Sequence, residues 1–122
     1  MAHGQINHIE IPADDPERAK RYYEAVAGWD IAEPTSVPDY WLFRFAEGFG
    51  GGIGRRGVSA STDHAIRDYL EVDSIEAALA ASDANGGSTK EPKNEIPGVG
   101  WFAVVLDSEG NELGLFQSTR QG

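Results

Sequence analysis

Hydrophobic and polar residues alternate along residues 6–12, INHIEIP, which is the pattern of a strand with one buried face. Ile9 and Ile11 fall on one face of this strand, and His8 and Glu10 fall on the other. The first segment therefore predicts a strand that presents an imidazole and a carboxylate side by side.

The alternation then gives way to helical spacing over residues 13–28. Asp14 followed by Glu17 resembles a capping box, and Gly28 is a typical helix stop. The next two segments, 29–34 and 39–47, predict strands, and the glycine-rich segment 48–56 predicts a short strand or a turn.

The same order recurs in the second half of the chain. A strand-like segment at 65–72 precedes a helix that Asp73 or Ser74 would cap. A short strand at 88–92 and a hairpin of two strands follow, with the turn at residues 108–110. Each half therefore has the order β-α-β-β-β, which is the signature of an internal repeat.

Aligning the two helix starts places His8 on Arg67 and Gly52 on Gly114. Neither half has enough strands and helix to cover its own sheet. We expect a single α+β domain of two paired βαβββ modules that form a curved mixed sheet with the helices on the outside. The modules would span residues 5–56 and 64–118, with a linker at 57–63.

Composition narrows the range of partners. The chain of 122 residues carries a formal net charge of −10, which argues against nucleic acid or a membrane surface as the main partner. It contains no cysteine, so disulfides, thiolate metal sites and cysteine nucleophiles are excluded. No apolar run is long enough to span a membrane, and no secretory signal is visible. We expect a cytoplasmic protein.

Glycines at positions 50, 52 and 54 alternate along one predicted strand. The segment lacks the lysine and the following helix of a phosphate-binding loop, so that interpretation is rejected. The three glycines instead leave one face of the strand bare, which either widens a cavity floor or lets another backbone approach closely.

Three segments together resemble the vicinal oxygen chelate superfamily, the group of glyoxalases, bleomycin-resistance proteins and dioxygenases: NHIEIPADDPERAKRYYEAVAGW, VDSIEAALAASDANGG and IPGVGWFAVVLDSEGNELGLFQ. The resemblance covers residues 5–118. It implies a ligand cleft between the modules and a homodimer. Metal-dependent members of the group have four metal ligands, one on the first and one on the last strand of each module.

Carried onto this chain, those four positions are His8, Arg67, Gly52 and Gly114. Only the first is a metal ligand, because a guanidinium stays protonated and glycine has no side chain. We therefore expect no cofactor and no tight metal site. An improvised site of His8, Glu10 and Glu112 is the alternative.

The candidate ligand-binding residues share a position on the predicted cleft strands: His8, Glu10, Arg67, Tyr69, Trp101 and Glu112. His8 is also the catalytic candidate, since imidazole serves as acid, base or hydrogen-bond partner. Arg67 would either hold an anionic ligand or form an internal salt bridge with Glu10 or Glu71.

Two functions follow from these residues. The first is a metal-free protein that binds a small molecule in the cleft. The second is a lyase, isomerase or dioxygenase of the same superfamily that uses His8 with an acidic neighbour or an unconventional metal site.

Overall fold

A computed structural model describes residues 3–33, 37–45, 49–61 and 65–119. The chain divides into two compact units, one formed by Asn7–Arg67 and the other by Asp68–Gly122 together with Met1–Ile6. The elements of the described residues follow in chain order: β1 (Ile6–Ala13), α1 (Pro16–Ala27), β2 (Tyr40–Arg44), β3 (Gly50–Arg55), β4 (Arg67–Glu71), α2 (Ile75–Ala84), β5 (Ser88–Ile96), β6 (Gly100–Leu106) and β7 (Glu112–Ser118).

In the Asn7–Arg67 unit, β3 lies between β2 and β1. Strand β1 runs parallel to β3 with Ile11 opposite Ile53, and β2 runs antiparallel to β3 with Trp41 opposite Ile53. Helix α1 packs on the face that carries these three side chains, and its Tyr23 contacts their cluster. The apolar positions of the alternating strands therefore form one core beneath one helix.

Helix α1 begins one residue later than the sequence predicted. The side chain of Asp15, not Asp14, accepts a 3.1 Å hydrogen bond from the amide of Arg18, and Pro16 occupies the first turn. The helix ends at Gly28 as expected, with a φ of 71° that favours glycine.

The strand predicted at 29–34 is wrong over its described part. Only an isolated bridge joins Ile31 to Phe43, and Trp29 instead stacks on Phe43 with ring centroids 4.3 Å apart. Tyr23 stacks on the other side of Trp29 at 4.9 Å. Aromatic stacking thus replaces strand pairing in this segment, and Pro34 lies outside the described residues.

The second unit has the strand order β4-β7-β6-β5 and packs α2 on one face. Strand β4 runs parallel to β7 with Leu70 opposite Leu115. This is the same register that β1 and β3 show for Ile11 and Ile53. The predicted alignment of the two halves therefore agrees with the strand pairing inside each unit.

Strand β5 is longer than the five residues predicted for it. It pairs with β6 from Ser88 to Ile96, but the register shifts between Thr89 and Glu91 and again between Glu91 and Asn94. Pro92 lies at these irregularities, where a residue without an amide hydrogen is tolerated at a sheet edge.

The predicted linker at 57–63 starts with ordered structure. The amides of Val58 and Ser59 donate to the carbonyl of Arg55, and Arg56 bridges to Ala60. Thr62, Asp63 and the following His64 lie outside the described residues.

No described helix has the length and apolar character needed to cross a membrane. The predicted α+β class is confirmed by the elements.

Candidate functional site

A row of glycines forms the floor of one face of the Asn7–Arg67 sheet. Gly50, Gly52 and Gly54 alternate along the central strand β3 and point away from helix α1; we call them the glycine strip. By register, the strip is flanked on this face by six residues, three from β1 and three from β2: His8, Glu10, Pro12, Tyr40, Leu42 and Arg44. We call this surface the polar face of the unit.

Tyr40 covers the middle of the glycine strip. A Cβ atom at Gly52 would collide with the Tyr40 ring, so the absence of a side chain there is what lets the ring lie across the strand. The Tyr40 hydroxyl reaches Nε2 of His8 and forms a 2.7 Å hydrogen bond with it. The two rings are nearly parallel, at 13° with centroids 6.1 Å apart.

His8 is held neutral on this face. Its pKa is lowered from 6.5 to about 4, first because burial disfavours the charged imidazole and second because Arg44 is a nearby positive charge. Near pH 7 the imidazole therefore has one donor and one acceptor nitrogen, and Nε2 is engaged with Tyr40.

Glu10 and Arg67 form a buried ion pair beside His8. Oε1 of Glu10 and Nη1 of Arg67 are 3.6 Å apart, and both residues are 7% exposed. Of the two roles predicted for Arg67, the structure shows the internal salt bridge. Such a pair keeps both charges only because each compensates the other in the low-dielectric interior.

The other unit repeats the glycine–tyrosine pairing with a different strand. Gly114 lies opposite Tyr69 in the β4–β7 register, and a Cβ atom at Gly114 would collide with the Tyr69 ring. Tyr69 is 8% exposed. Glu112 shares the face of Gly114 and forms an ion pair with Lys90.

Trp101 lies elsewhere. It packs with Leu113 and the cluster beneath α2, on the face of the sheet opposite Gly114 and Glu112. Its ring carries Lys93 Nζ at 4.8 Å from the centroid, a cation–π contact. The structure therefore does not bring Trp101 together with Tyr69 and Glu112, although the sequence analysis grouped them.

Of the predicted site residues, the Asn7–Arg67 unit brings together His8, Glu10 and Arg67. Tyr40 and Arg44 were not among the predicted site residues. The alternation of the sequence could have indicated them, because both residues fall on the strand face opposite Trp41 and Phe43. That face adjoins the alternating glycines.

The residues at the four metal-ligand positions of the superfamily do not fit a metal ion. Gly52 and Gly114 are each covered by a tyrosine ring, and Arg67 is in an ion pair. Within the described ranges, no group of three or more His, Asp or Glu side chains is arranged to hold a metal ion. The alternative site of His8, Glu10 and Glu112 stays a prediction.

Comparison with known sequences assigns the family. Residues 5–115 match the profile of the Glyoxalase/Bleomycin resistance protein/Dioxygenase superfamily, and the chain belongs to it. A glyoxylase-like domain-containing protein of Didymella fabae is 32% identical over 118 residues, covering 91% of both chains. The protein CFP32 of Mycobacterium bovis is 30% identical over 109 residues, but this chain spans 41% of its length.

Comparison with solved structures confirms the glyoxalase-type fold. Methylmalonyl-CoA epimerase from Mycobacterium tuberculosis superposes with a TM-score of 0.72 at 13% identity, over 96% of this chain and 89% of that one. A superfamily member from Vibrio splendidus 12B01 gives 0.64 at 12% identity, over 94% and 99%. At these identities the likeness concerns the fold alone.

Proposed function

We propose that the protein binds a compact small molecule on the polar face of the Asn7–Arg67 unit. His8 and Tyr40 would supply hydrogen bonds, and the Glu10–Arg67 ion pair would place a negative and a positive charge beside them. A few convergent polar groups beside an aromatic ring and apolar side chains are typical of small-molecule recognition.

The state of His8 carries this proposal. With a pKa of about 4, the imidazole is a weak base near pH 7, whereas a general base works best with a pKa near the working pH. A buried neutral imidazole suits a hydrogen-bonding role in recognition. This favours binding over the alternative lyase, isomerase or dioxygenase chemistry with His8 as the base.

A ligand screen read out on His8 itself tests the proposal. Protein labelled with ¹⁵N in its histidines would be screened by NMR against a library of compact polar compounds. We expect hits that shift the His8 ring nitrogens and leave the exposed His3 unchanged. His3 serves as the internal reference, since the spectrum of each sample reports on His3 and His8 together.

Tyr40→Phe removes the hydroxyl that contacts His8, and Tyr22→Phe is the matched control on a 59% exposed tyrosine. We expect Tyr40→Phe to weaken binding of the hits about tenfold, the cost of one lost hydrogen bond, and Tyr22→Phe to leave it unchanged. Hits that bind both variants equally would contradict the proposal, as would turnover of a hit that disappears in His8→Gln.

Three further expectations stay predictions. Ligand contacts by Tyr69, Trp101 and Glu112 concern the other unit, and Trp101 is the weakest of them because it packs beneath α2. Homodimerisation comes from the family resemblance and is measurable by light scattering coupled to gel filtration. A cytoplasmic location comes from the cysteine-free composition and is measurable by fractionation of the source cells.

A further inference from the structure

We infer that the ligand of the polar face is a compact monoanion, a small carboxylate, and that Arg44 supplies the charge that selects it. The inference rests on the proposed binding function and adds the chemical class of the ligand.

The first support is the position of Arg44. In the strand register Arg44 lies opposite Gly50, and Gly50 lies opposite His8, so all three belong to one row across the sheet. Adjacent strands are about 4.8 Å apart, which separates the Cα atoms of the two outer residues by about 10 Å. Because the middle residue of this row is glycine, Gly50 adds no side chain between Arg44 and His8.

The second support is the charge balance of the polar face. Glu10 and Arg67 cancel each other as an ion pair, while His8 is neutral and Tyr40 adds a hydroxyl. Arg44 is exposed, and among the residues that the structure describes it forms no ion pair. Among the described residues of the polar face, one net positive charge therefore remains, in a protein whose formal net charge is −10.

That balance fits one negative charge better than two. A carboxylate would accept a bidentate pair of hydrogen bonds from a guanidinium and leave its substituent to the neutral His8–Tyr40 pair. A phosphate dianion would bring a second negative charge toward the buried carboxylate of Glu10, and the described residues of the polar face offer no cation besides Arg44 and the ion-paired Arg67. A neutral ligand would make no use of Arg44.

The test uses matched pairs of compounds that differ in charge alone: acetate and acetamide, lactate and lactamide, benzoate and benzamide, with inorganic phosphate as the dianion. Binding to the full chain is followed through the His8 ring nitrogens and the side-chain Nε of Arg44. Arg44→Gln removes the proposed selecting charge. Arg21→Gln on the exposed surface of α1 is the control for the same change in net charge.

We expect at least one acid to bind about tenfold or more tightly than its amide, and Arg44→Gln to abolish that preference while Arg21→Gln preserves it. Binding of the acid should also raise the pKa of His8, because an anion beside an imidazole favours its charged form. The amide should leave the His8 pKa in place.

The outcomes separate this inference from the function on which it rests. If amides bind as tightly as acids and Arg44→Gln changes neither affinity, the proposed binding function stands, and the inference that the ligand is a monoanion is wrong. If phosphate binds more tightly than every acid, the ligand class is also wrong. If no compound of the panel or of the wider library shifts His8, both the inference and the proposed function fail.

Discussion

At the scale of single residues, the two glycines at the metal-ligand positions have a specific steric role. Gly52 makes room for the ring of Tyr40, which comes from β2, and Gly114 makes room for the ring of Tyr69, which comes from β4. In both units, therefore, a glycine leaves space for a tyrosine ring, but the two tyrosines come from different strands. The rings occupy the space that a ligating side chain would need.

Alanine at these positions should have different effects in the two units. Tyr69 is buried and its ring is blocked near its base, so Gly114→Ala should destabilise the fold by about 1–3 kcal/mol, the usual cost of overpacking. Gly52→Ala pushes on the outer end of the Tyr40 ring, which is more free to move. It should cost less stability but break the hydrogen bond with His8.

Urea denaturation and the NMR titration of His8 measure these two effects. Each glycine variant is paired with a rescue in which the tyrosine is shortened, Tyr69→Val with Gly114→Ala and Tyr40→Val with Gly52→Ala. The collision explanation requires the double variants to be more stable than the single effects add up to. Additive losses would contradict it.

The lowered pKa of His8 makes stability depend on pH. The unfolded chain binds a proton at His8 near pH 6.5, whereas the folded chain does so near pH 4, so between these values the unfolded state holds more protons. The contribution of His8 to stability is therefore complete above pH 6.5 and falls as the pH drops toward 4. The full shift is worth about 3 kcal/mol.

Glutamine at position 8 should remove that dependence, because its side chain does not titrate in this range. We expect the stability gap between wild type and His8→Gln to narrow as the pH is lowered from 7.5 to 5, measured by urea denaturation. Arg44, Glu10 and Arg67 share the face with His8, and each is present in both proteins, so the difference isolates the imidazole. A stability difference between the two proteins that stays constant with pH would contradict the lowered pKa of His8.

At the scale of the elements, the sequence predicted where alternation or capping chemistry decides the structure and failed where packing decides it. Alternation placed Ile9 and Ile11 opposite His8 correctly, because one face of β1 packs on the core and the other does not. The segment at Trp29 was mistaken for a strand, since aromatic stacking on Phe43 is a tertiary contact with no local signature.

The start of α1 offers a direct test of the corrected cap. Asp15→Ala should destabilise the protein by about 1 kcal/mol because the amide of Arg18 loses its acceptor. Asp14→Ala should cost less, since Asp14 contributes an exposed ion pair to Arg56 instead. Asp15→Asn, which retains a capping oxygen, is the control and should remain close to wild type in thermal denaturation. A larger loss for Asp14→Ala would restore the cap that the sequence predicted.

At the scale of the whole molecule, the internal repeat was predictable from the recurring order of strand-like and helical segments. The structure shows the same register between β1 and β3 as between β4 and β7. The candidate site was predictable only in part. Tyr40 reaches His8 through the direction of its side chain over a glycine, and no periodicity encodes a rotamer. Trp101 was misplaced because β6 carries buried residues on both faces, so alternation does not say which face is which.

The division of the chain also shows that the N-terminal residues belong with the distant half. Gly4 donates its amide to the carbonyl of Glu71 at 2.7 Å, and the amide of Glu71 donates to the carbonyl of Gln5 at 2.9 Å. The amide of Asp73 donates to Nδ1 of His3 at 3.1 Å. The residues at the start of the chain thereby extend the pairing of β4, although more than 60 residues separate them from that strand in sequence.

Deleting residues 2–5 should therefore weaken the unit formed by residues 68–122 rather than the one to which the deletion is adjacent in sequence. Two backbone hydrogen bonds and one side-chain bond are lost, worth about 1–3 kcal/mol together. Hydrogen exchange should show faster exchange at the amides of Glu71 and Asp73, while the amides of β3 keep their protection. His3→Ala, which removes only the side-chain bond, should affect Asp73 and spare Glu71. If the deletion instead exposes β3 first, the N-terminal residues support their sequence neighbours, and the division at Ile6 is wrong.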